Sequence, residues 1–234
     1  MTDQTAEMIS IDTGDGAMPA YFWRPPAGVG PGLILVHEIF GVSEYIQARG
    51  RDLAANGYVV CAPEIYWRLD DHEIDETSED VLQRAISIAR RVEWPTAVSD
   101  TQAVLSHVRG MIEVEGGIGL LGFCFGGGLA FNVAAVDDVD VLVSYYGSNL
   151  GELTHLARDV KAPSLHHFGL ADAFVSAETR ARVRAAVTER GAQFETYEGA
   201  DHAFDNPSPA FHDPEASVRA WGITLRFLNQ HLPT

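Results

Sequence analysis

The chain has 234 residues, 46% of them hydrophobic, with 16 Lys plus Arg against 33 Asp plus Glu and a formal net charge of -17. That length and apolar share fit one α/β domain or two small ones with a sizeable core and exclude a disordered chain. A surface this acidic repels phosphate backbones and anionic lipid heads, which argues against nucleic-acid and membrane-surface partners.

The two cysteines, Cys61 and Cys124, stand in no metal-ligand spacing and make no disulfide framework. No metal and no cofactor is expected. The N-terminus "MTDQTAEMISIDTGDG" lacks the basic region and apolar core of a signal peptide. No apolar run approaches the roughly 20 residues of a membrane helix. A cytoplasmic protein is expected, a monomer or weak homodimer that acts on a small molecule.

In chain order, "MISIDT" and "PAYFWRP" read as an opening hairpin around "GDGAM". "GLILVHE" is an unbroken apolar run suited to a strand buried on both faces. Residues 44–56 read as a helix ending at Gly57, and "YVVCAPEIY" as the next strand. The stretch "LDDHEIDETSED" (69–80) is the least core-like and is expected to be a solvated excursion. Residues 78–91 and 96–109 read as helices split by Pro95. "GGIGLLGFC" is a glycine-flanked strand, followed by a helix over 126–135 rich in small residues. "VDVLVSYYG" and "PSLHHFGLAD" are further strands, and 176–190 is a helix closed by Gly191. "FETYEGADHAF" is the last strand with its loop, and 214–230 the final helix. This alternation predicts an α/β, three-layer fold: a mostly parallel central sheet with helices on both faces. No linker or repeat interrupts residues 1–234, so a single domain is expected.

Sites in open parallel sheets form at the carboxyl ends of strands. Polar residues fall at such ends in "VHEIFG", "APEIY", "GFCFGG", "GLADAF" and "GADHAF". "G-F-C-F-G" has the shape of a strand-to-helix nucleophile elbow with cysteine in place of serine. Gly122 and Gly126, two before and two after Cys124, supply the small residues that so tight a turn needs. The turn aims the N-terminus of the next helix at the sulfur, where its partial positive charge favours a thiolate or an oxyanion. The bland alternative is a small buried hydrophobe, the usual fate of a free cysteine.

An elbow needs a base and an acid to orient it, in the order nucleophile, acid, histidine. Cys124, Asp172 and His202 stand in that order, the last two just past strands. The other histidines fit less well: His166 and His167 lie inside a strand, His107 and His231 on helices, and His72, His155 and His212 in polar loops. Asp201 and Asp205 flank His202, but an adjacent side chain usually points away.

The motifs "HEIFG" (37–41), "CAPEIY" (61–66), "GFCFGG" (122–127), "YYG" (145–147), "GLADAFV" (169–175) and "GADHAF" (199–204) together resemble the dienelactone hydrolase family of α/β-hydrolases, the carboxymethylenebutenolidase-like enzymes, across nearly the whole chain. The resemblance implies a hydrolase of esters or lactones in which Cys124 is the nucleophile, His202 the base and Asp172 its orienter. It also implies that Glu38 contacts the cysteine and helps generate thiolate, and that the backbone N–H groups of Ile39 and Phe125 form the oxyanion hole. A glutamate merely capping the following turn is the plain alternative for Glu38.

The chain departs from the family at substrate recognition. Two arginines clamp the substrate carboxylate in the founding type of enzyme. Here one of those positions is Asn206, and Arg84 is the nearest match to the other. A less charged lactone or ester is therefore expected. Phe40, Trp67, Tyr145, Phe174 and Phe204 lie near the motifs and are candidates to line an apolar substrate pocket, although most aromatics are simply core. Two alternatives share the thiol: a thioesterase or acyltransferase on the same three residues, and a non-catalytic ligand-binding or redox-sensing protein using Cys124.

Overall fold

The computed structural model describes residues 5–234. Those residues fall into two compact units, one running to Ile118 with Thr234 added, the other Gly119–Pro233.

The first unit opens with an antiparallel hairpin, β1 (Glu7–Asp12) and β2 (Ala17–Trp23), in register from Glu7 opposite Phe22 to Asp12 opposite Ala17. β3 (Gly30–Val36) leads to helix α1 (Glu44–Ala55) and then to β4 (Val59–Pro63). The strand order is β1-β2-β4-β3, with β4 antiparallel to β2 and parallel to β3. Burial follows this pairing. The hairpin strand β2 alternates, with Met18, Ala20 and Phe22 buried, whereas every residue of β4 and all but the first of β3 are buried. Strands with an apolar layer on each side need such continuous runs, and each fully buried Val, Leu or Ile contributes about 1.5–3 kcal/mol.

Helix α1 starts at Ser43, whose hydroxyl accepts the Ile46 N–H, and stops where Gly57 takes φ +102°, a conformation costly for any residue with a Cβ. Helices α2 (Val81–Ala89) and α3 (Trp94–Arg109) follow the acidic stretch. Pro95 does not split them as expected. It sits in the first turn of α3, where its missing N–H has no helical partner to lose. Residues 69–80 form turns and bends with mostly exposed side chains. Buried Asp100 of α3 accepts from Trp67 Nε1 at 3.0 Å and Arg68 Nε at 2.9 Å, and Arg68 also pairs with Asp15 in the hairpin turn. This ion-paired staple holds the hairpin against α3.

Strand β5 (Val114–Phe123) carries the chain into the second unit, where α4 (Phe125–Val136), β6 (Val141–Tyr145), a short helix α5 (Leu150–Leu153), β7 (Ser164–Gly169), α6 (Ala177–Thr188), β8 (Gln193–Tyr197) and α7 (Pro214–His231) follow. β5-β6-β7-β8 are all parallel, with Phe123 opposite Tyr145, Tyr145 opposite His167, and Gly169 opposite Tyr197. Their carboxyl ends therefore lie side by side. α5 and the 3-10 turn after it, Thr154–Leu156, have no counterpart among the elements expected from sequence.

Behind those strand ends lies a buried polar network. The Tyr145 hydroxyl is 2.7 Å from Thr224 Oγ1, which is 3.0 Å from His167 Nε2, and His167 Nδ1 is 2.8 Å from the Tyr197 hydroxyl. Every member is satisfied, so the network ties α7 to β6, β7 and β8 at little desolvation cost.

Candidate active site

The second unit brings Cys124, Asp172 and His202 together. His202 Nε2 lies 3.1 Å from Cys124 Sγ, and His202 Nδ1 lies 2.8 Å from Asp172 Oδ2. All three are buried.

Each side chain is held there by local backbone chemistry. Cys124 connects β5 to α4 with φ +50°, a strained region for a residue with a Cβ. The strain is held by the Cys124 N–H on the Tyr145 carbonyl at 3.0 Å and by the Cys124 carbonyl, which accepts from Ser148 at 2.9 Å. The turn is so tight that a Cβ on Gly122 would stand 2.1 Å from the Gly126 carbonyl oxygen, and one on Gly127 would stand 2.9 Å from Gly147 Cα. Helix α4 begins at the next residue, so the positive end of its dipole lies at the sulfur.

Asp172 follows β7. Its Oδ1 accepts the N–H groups of Phe174 and Val175, both at 2.8 Å, which leaves Oδ2 turned to His202. The loop carrying Asp172 and the loop carrying His202 are pinned together. The Ala171 N–H donates to the Ala200 carbonyl at 3.0 Å, and a Cβ on Gly169 would meet that oxygen at 2.2 Å. Asp201 bridges the same loops by accepting from the backbone N–H of Ala173 at 2.8 Å and of His202 at 2.6 Å. Asp205 accepts from the Ser217 hydroxyl at 2.7 Å. Neither flanking aspartate contacts the imidazole through these bonds.

Two rings flank the imidazole. Tyr146 and Phe174 each place a ring centroid 5.1 Å from that of His202. Tyr146 does so from a backbone at φ +37°, with its N–H donating to the His167 carbonyl at 2.7 Å. Phe174 is 60% exposed, an apolar surface directly beside the imidazole. Sequence reasoning did not single out Tyr146, although it is the second tyrosine of "YYG".

The electrostatics of the group centre on His202. Burial opposes its positive charge, but the sulfur of Cys124 and the carboxylate of Asp172 overcome that cost and raise its pKa above the ordinary histidine value. Cys61, the other thiol, is buried in β4, and burial pushes it up to about 12. It is inert by comparison.

The remaining expected site residues are distributed as follows. Tyr145 and Phe204 are fully buried core, with the Tyr145 hydroxyl committed to Thr224, so neither forms a wall open to a ligand. Trp67 packs under the hairpin turn: a Cβ on Gly16 would meet its ring at 2.5 Å, and its Nε1 is bound to Asp100. Arg84 is turned to Asp71, donating to its carboxylate at 2.6 Å and its carbonyl at 2.8 Å. Asn206 is buried, and its Oδ1 caps the following turn by accepting the Ser208 N–H at 2.9 Å. Phe125 begins α4.

In the first unit, Glu38 and Ile39 come after β3 and His37, and Glu38 is buried. Phe40 borders a cleft of about 410 Å³ in that unit, lined also by Tyr66, His72, Glu64, Glu73 and Glu76. Among the described residues no cluster of three or more His, Cys, Asp or Glu is placed to hold a metal ion, and no helix is long and apolar enough to cross a membrane.

Comparison with known proteins points to one family. A model of the dienelactone hydrolase family matches residues 18–232. The chain is 33% identical over 229 residues to a carboxymethylenebutenolidase of Pseudomonas sp. (strain P51), covering 97% of this chain and 96% of that one. It is 31% identical over 225 residues to a carboxymethylenebutenolidase of Pseudomonas putida, covering 95% of each. Among solved structures, a protein assigned as a dienelactone hydrolase in Klebsiella pneumoniae superposes with a TM-score of 0.82 at 30% identity, covering 96% of this chain and 98% of that one.

Proposed function

From the premise that the chain belongs to the dienelactone hydrolase family of α/β-hydrolases, we propose that it cleaves an ester or lactone through Cys124, His202 and Asp172, by way of a thioester. A hydrolase of the dienelactone hydrolase type is what membership entails; the thiol mechanism is the proposal. The observation that carries it is the single imidazole spanning Sγ at 3.1 Å and a carboxylate at 2.8 Å.

The cycle runs in two halves. The Cys124 thiolate adds to the carbonyl carbon, and the carbonyl electrons move onto oxygen. That oxyanion is received by the N–H groups of Ile39 and Phe125, each such donor contributing about 3 kcal/mol in the transition state. The tetrahedral species collapses, expelling the alkoxide or enolate, which takes a proton from the His202 imidazolium. The product of this half is an acyl-thioester on Cys124. Water then gives a proton to His202 and adds to the thioester, the thiolate leaves, and the carboxylic acid is released. Asp172 holds the imidazole in one orientation and favours its charged form. Glu38, a buried carboxylate immediately before Ile39, is proposed to assist thiolate formation, on the strength of the family resemblance.

The substrate is proposed to be a small, weakly charged or uncharged lactone or ester. Arg84 is spent on Asp71, Asn206 on a backbone N–H, and the cleft beside Phe40 is lined by three glutamates. None of these favours a carboxylate on the substrate. Phe174 offers an apolar contact beside His202, and Phe40 is retained as a second. The protein is proposed to work as a single cytoplasmic domain, monomeric or weakly dimeric.

The test is hydrolysis of p-nitrophenyl acetate and of an anionic dienelactone by the wild type, Cys124→Ala and His202→Ala. Turnover of the simple ester by the wild type, lost in both variants, is expected. Full activity in Cys124→Ala would remove the assigned nucleophile. A strong preference for acyl-CoA over simple esters would move the assignment to a thioesterase.

A further inference from the structure

The site built around Cys124 leaves one buried imidazole of the "HEIFG" motif without a role. His37 lies immediately past β3, wholly buried. Its two nitrogens are used in opposite senses. The Ile65 N–H donates to Nε2 at 3.2 Å, which makes Nε2 an acceptor. Nδ1 therefore carries the hydrogen, and it donates to the Glu38 carbonyl oxygen at 2.7 Å. A neutral ring is required for this pattern, and burial supplies one by lowering the His37 pKa to about 4.

The Glu38 carbonyl also accepts the Gly41 N–H at 3.2 Å, closing a turn over Glu38, Ile39, Phe40 and Gly41 that ends with Gly41 at φ +75°. One carbonyl further on, Ile39 C=O accepts the Tyr66 hydroxyl at 3.1 Å. The Tyr66 ring in turn meets the His37 ring edge-on, with centroids 4.8 Å apart. His37 and Tyr66 thus brace each other, and each holds one carbonyl of the same turn.

The consequence is geometric. Among the described residues no peptide bond is cis, so across the Glu38–Ile39 bond C=O and N–H point in opposite directions. Fixing the Glu38 oxygen toward His37 and Gly41 fixes the Ile39 N–H the other way. Holding the Ile39 oxygen on Tyr66 removes the remaining freedom of that residue to rotate. Among the described residues the Ile39 N–H itself donates to no protein acceptor. The result is a backbone donor held in place on both sides and not spent within the fold.

We propose that His37 and Tyr66 are positioning residues that aim the Ile39 N–H at the oxyanion of the transition state. This rests on the assignment of Ile39 as an oxyanion donor in the proposed thioester cycle. A pre-aimed donor costs no reorganisation at the moment of reaction, which is where most of its benefit arises.

The experiment compares Tyr66→Phe, His37→Leu and His37→Asn with the wild type. Tyr66→Phe removes only a hydroxyl. His37→Leu removes both ring bonds, and His37→Asn restores a donor toward the Glu38 carbonyl. For each, kcat and KM on p-nitrophenyl acetate are measured beside the rate at which iodoacetamide alkylates Cys124. Alkylation displaces iodide and builds no oxyanion, so it reports the thiol alone.

In Tyr66→Phe and His37→Leu, kcat is expected to fall about tenfold or more, with KM and alkylation within about twofold of wild type. His37→Asn is expected to recover part of the loss. Unchanged kcat in a folded Tyr66→Phe, or turnover and alkylation falling together, would overturn the inference; if His37→Leu does not fold, Tyr66→Phe decides it. Wild-type activity that survives complete alkylation of Cys124 would instead defeat the underlying cycle, and this inference with it.

Discussion

The Tyr146 ring stands 5.1 Å from the His202 imidazole and 5.2 Å from Phe204, from a backbone held at φ +37°. A left-handed tyrosine costs about 1–3 kcal/mol and persists only where its surroundings over-determine it. Here it converts the end of β6 into a wall for the histidine. Tyr146→Leu keeps the volume apolar but loses the ring face. It is expected to lower kcat on a simple ester by roughly three- to tenfold with little change in KM, because His202 is less well held. Parallel kinetics and thermal unfolding check it, and a variant with lower stability but wild-type kcat would contradict the role.

Phe174 and Arg84 bear on specificity. Phe174 is 60% exposed, so Phe174→Ala is expected to leave stability nearly unchanged while raising KM several-fold for esters with an aromatic or bulky apolar group. Arg84 is engaged with Asp71, and Arg84→Met is expected to shift KM for an anionic lactone and for a neutral ester in parallel. A selective loss of the anionic lactone would show that Arg84 binds carboxylate after all.

The charge state of His202 makes a pH prediction. The sulfur of Cys124 and the carboxylate of Asp172 hold its folded pKa above the ordinary 6.5, so as pH rises past that value the folded imidazole keeps a proton that the unfolded imidazole has released. The stability this gives is complete below the unfolded value and is lost as pH climbs through the folded one. Cys124 is the largest contribution raising that pKa, so Cys124→Ser is expected to flatten the alkaline decline in unfolding free energy. Urea titrations of both proteins from neutral pH upward check this, and identical alkaline slopes would contradict it.

His166 makes the opposite case. Both of its ring nitrogens are buried without a hydrogen-bond partner, and burial lowers its pKa from 6.5 to about 4. Its neighbours are the rings of Phe131 and Phe194, at 5.9 and 6.5 Å. Below pH 6.5 the unfolded chain takes up a proton that the folded chain refuses until about pH 4, so stability is lost across that window. His166→Leu is expected to be neutral or up to about 1 kcal/mol more stable at neutral pH, with a shallower acid limb. Destabilisation by more than about 2 kcal/mol with an unchanged acid limb would show that the ring is needed as it stands.

The parts of this molecule that were legible in its sequence are those set by short-range rules. The buried strands announce themselves as unbroken apolar runs such as "LILV" in β3 and "VLV" in β6. The elbow is legible because only glycine fits at 122, where a Cβ would strike the Gly126 carbonyl. The order of Cys124, Asp172 and His202 follows from the strand ends on which they fall. Pro95 misled as a breaker because a proline in the first helical turn forfeits no hydrogen bond. The short helix α5 was missed because four residues carry no periodicity to detect. Aromatic identity does not tell which side of a strand end a ring occupies, so Tyr145 and Phe204 were candidates for a pocket and lie in the core. The turn braced by His37 depends on the Tyr66 hydroxyl, nearly thirty residues away, and no local pattern reports such a contact.

The most direct measurement is rapid-quench intact mass spectrometry of the protein mixed with p-nitrophenyl acetate, with the adduct located by peptide mapping. An acetyl adduct is predicted on Cys124 in the wild type, accumulating in His202→Ala if that variant still acylates, and absent in Cys124→Ala. Turnover of the ester with no adduct on Cys124, or with the acyl group on another residue, would contradict a thioester cycle on this sulfur.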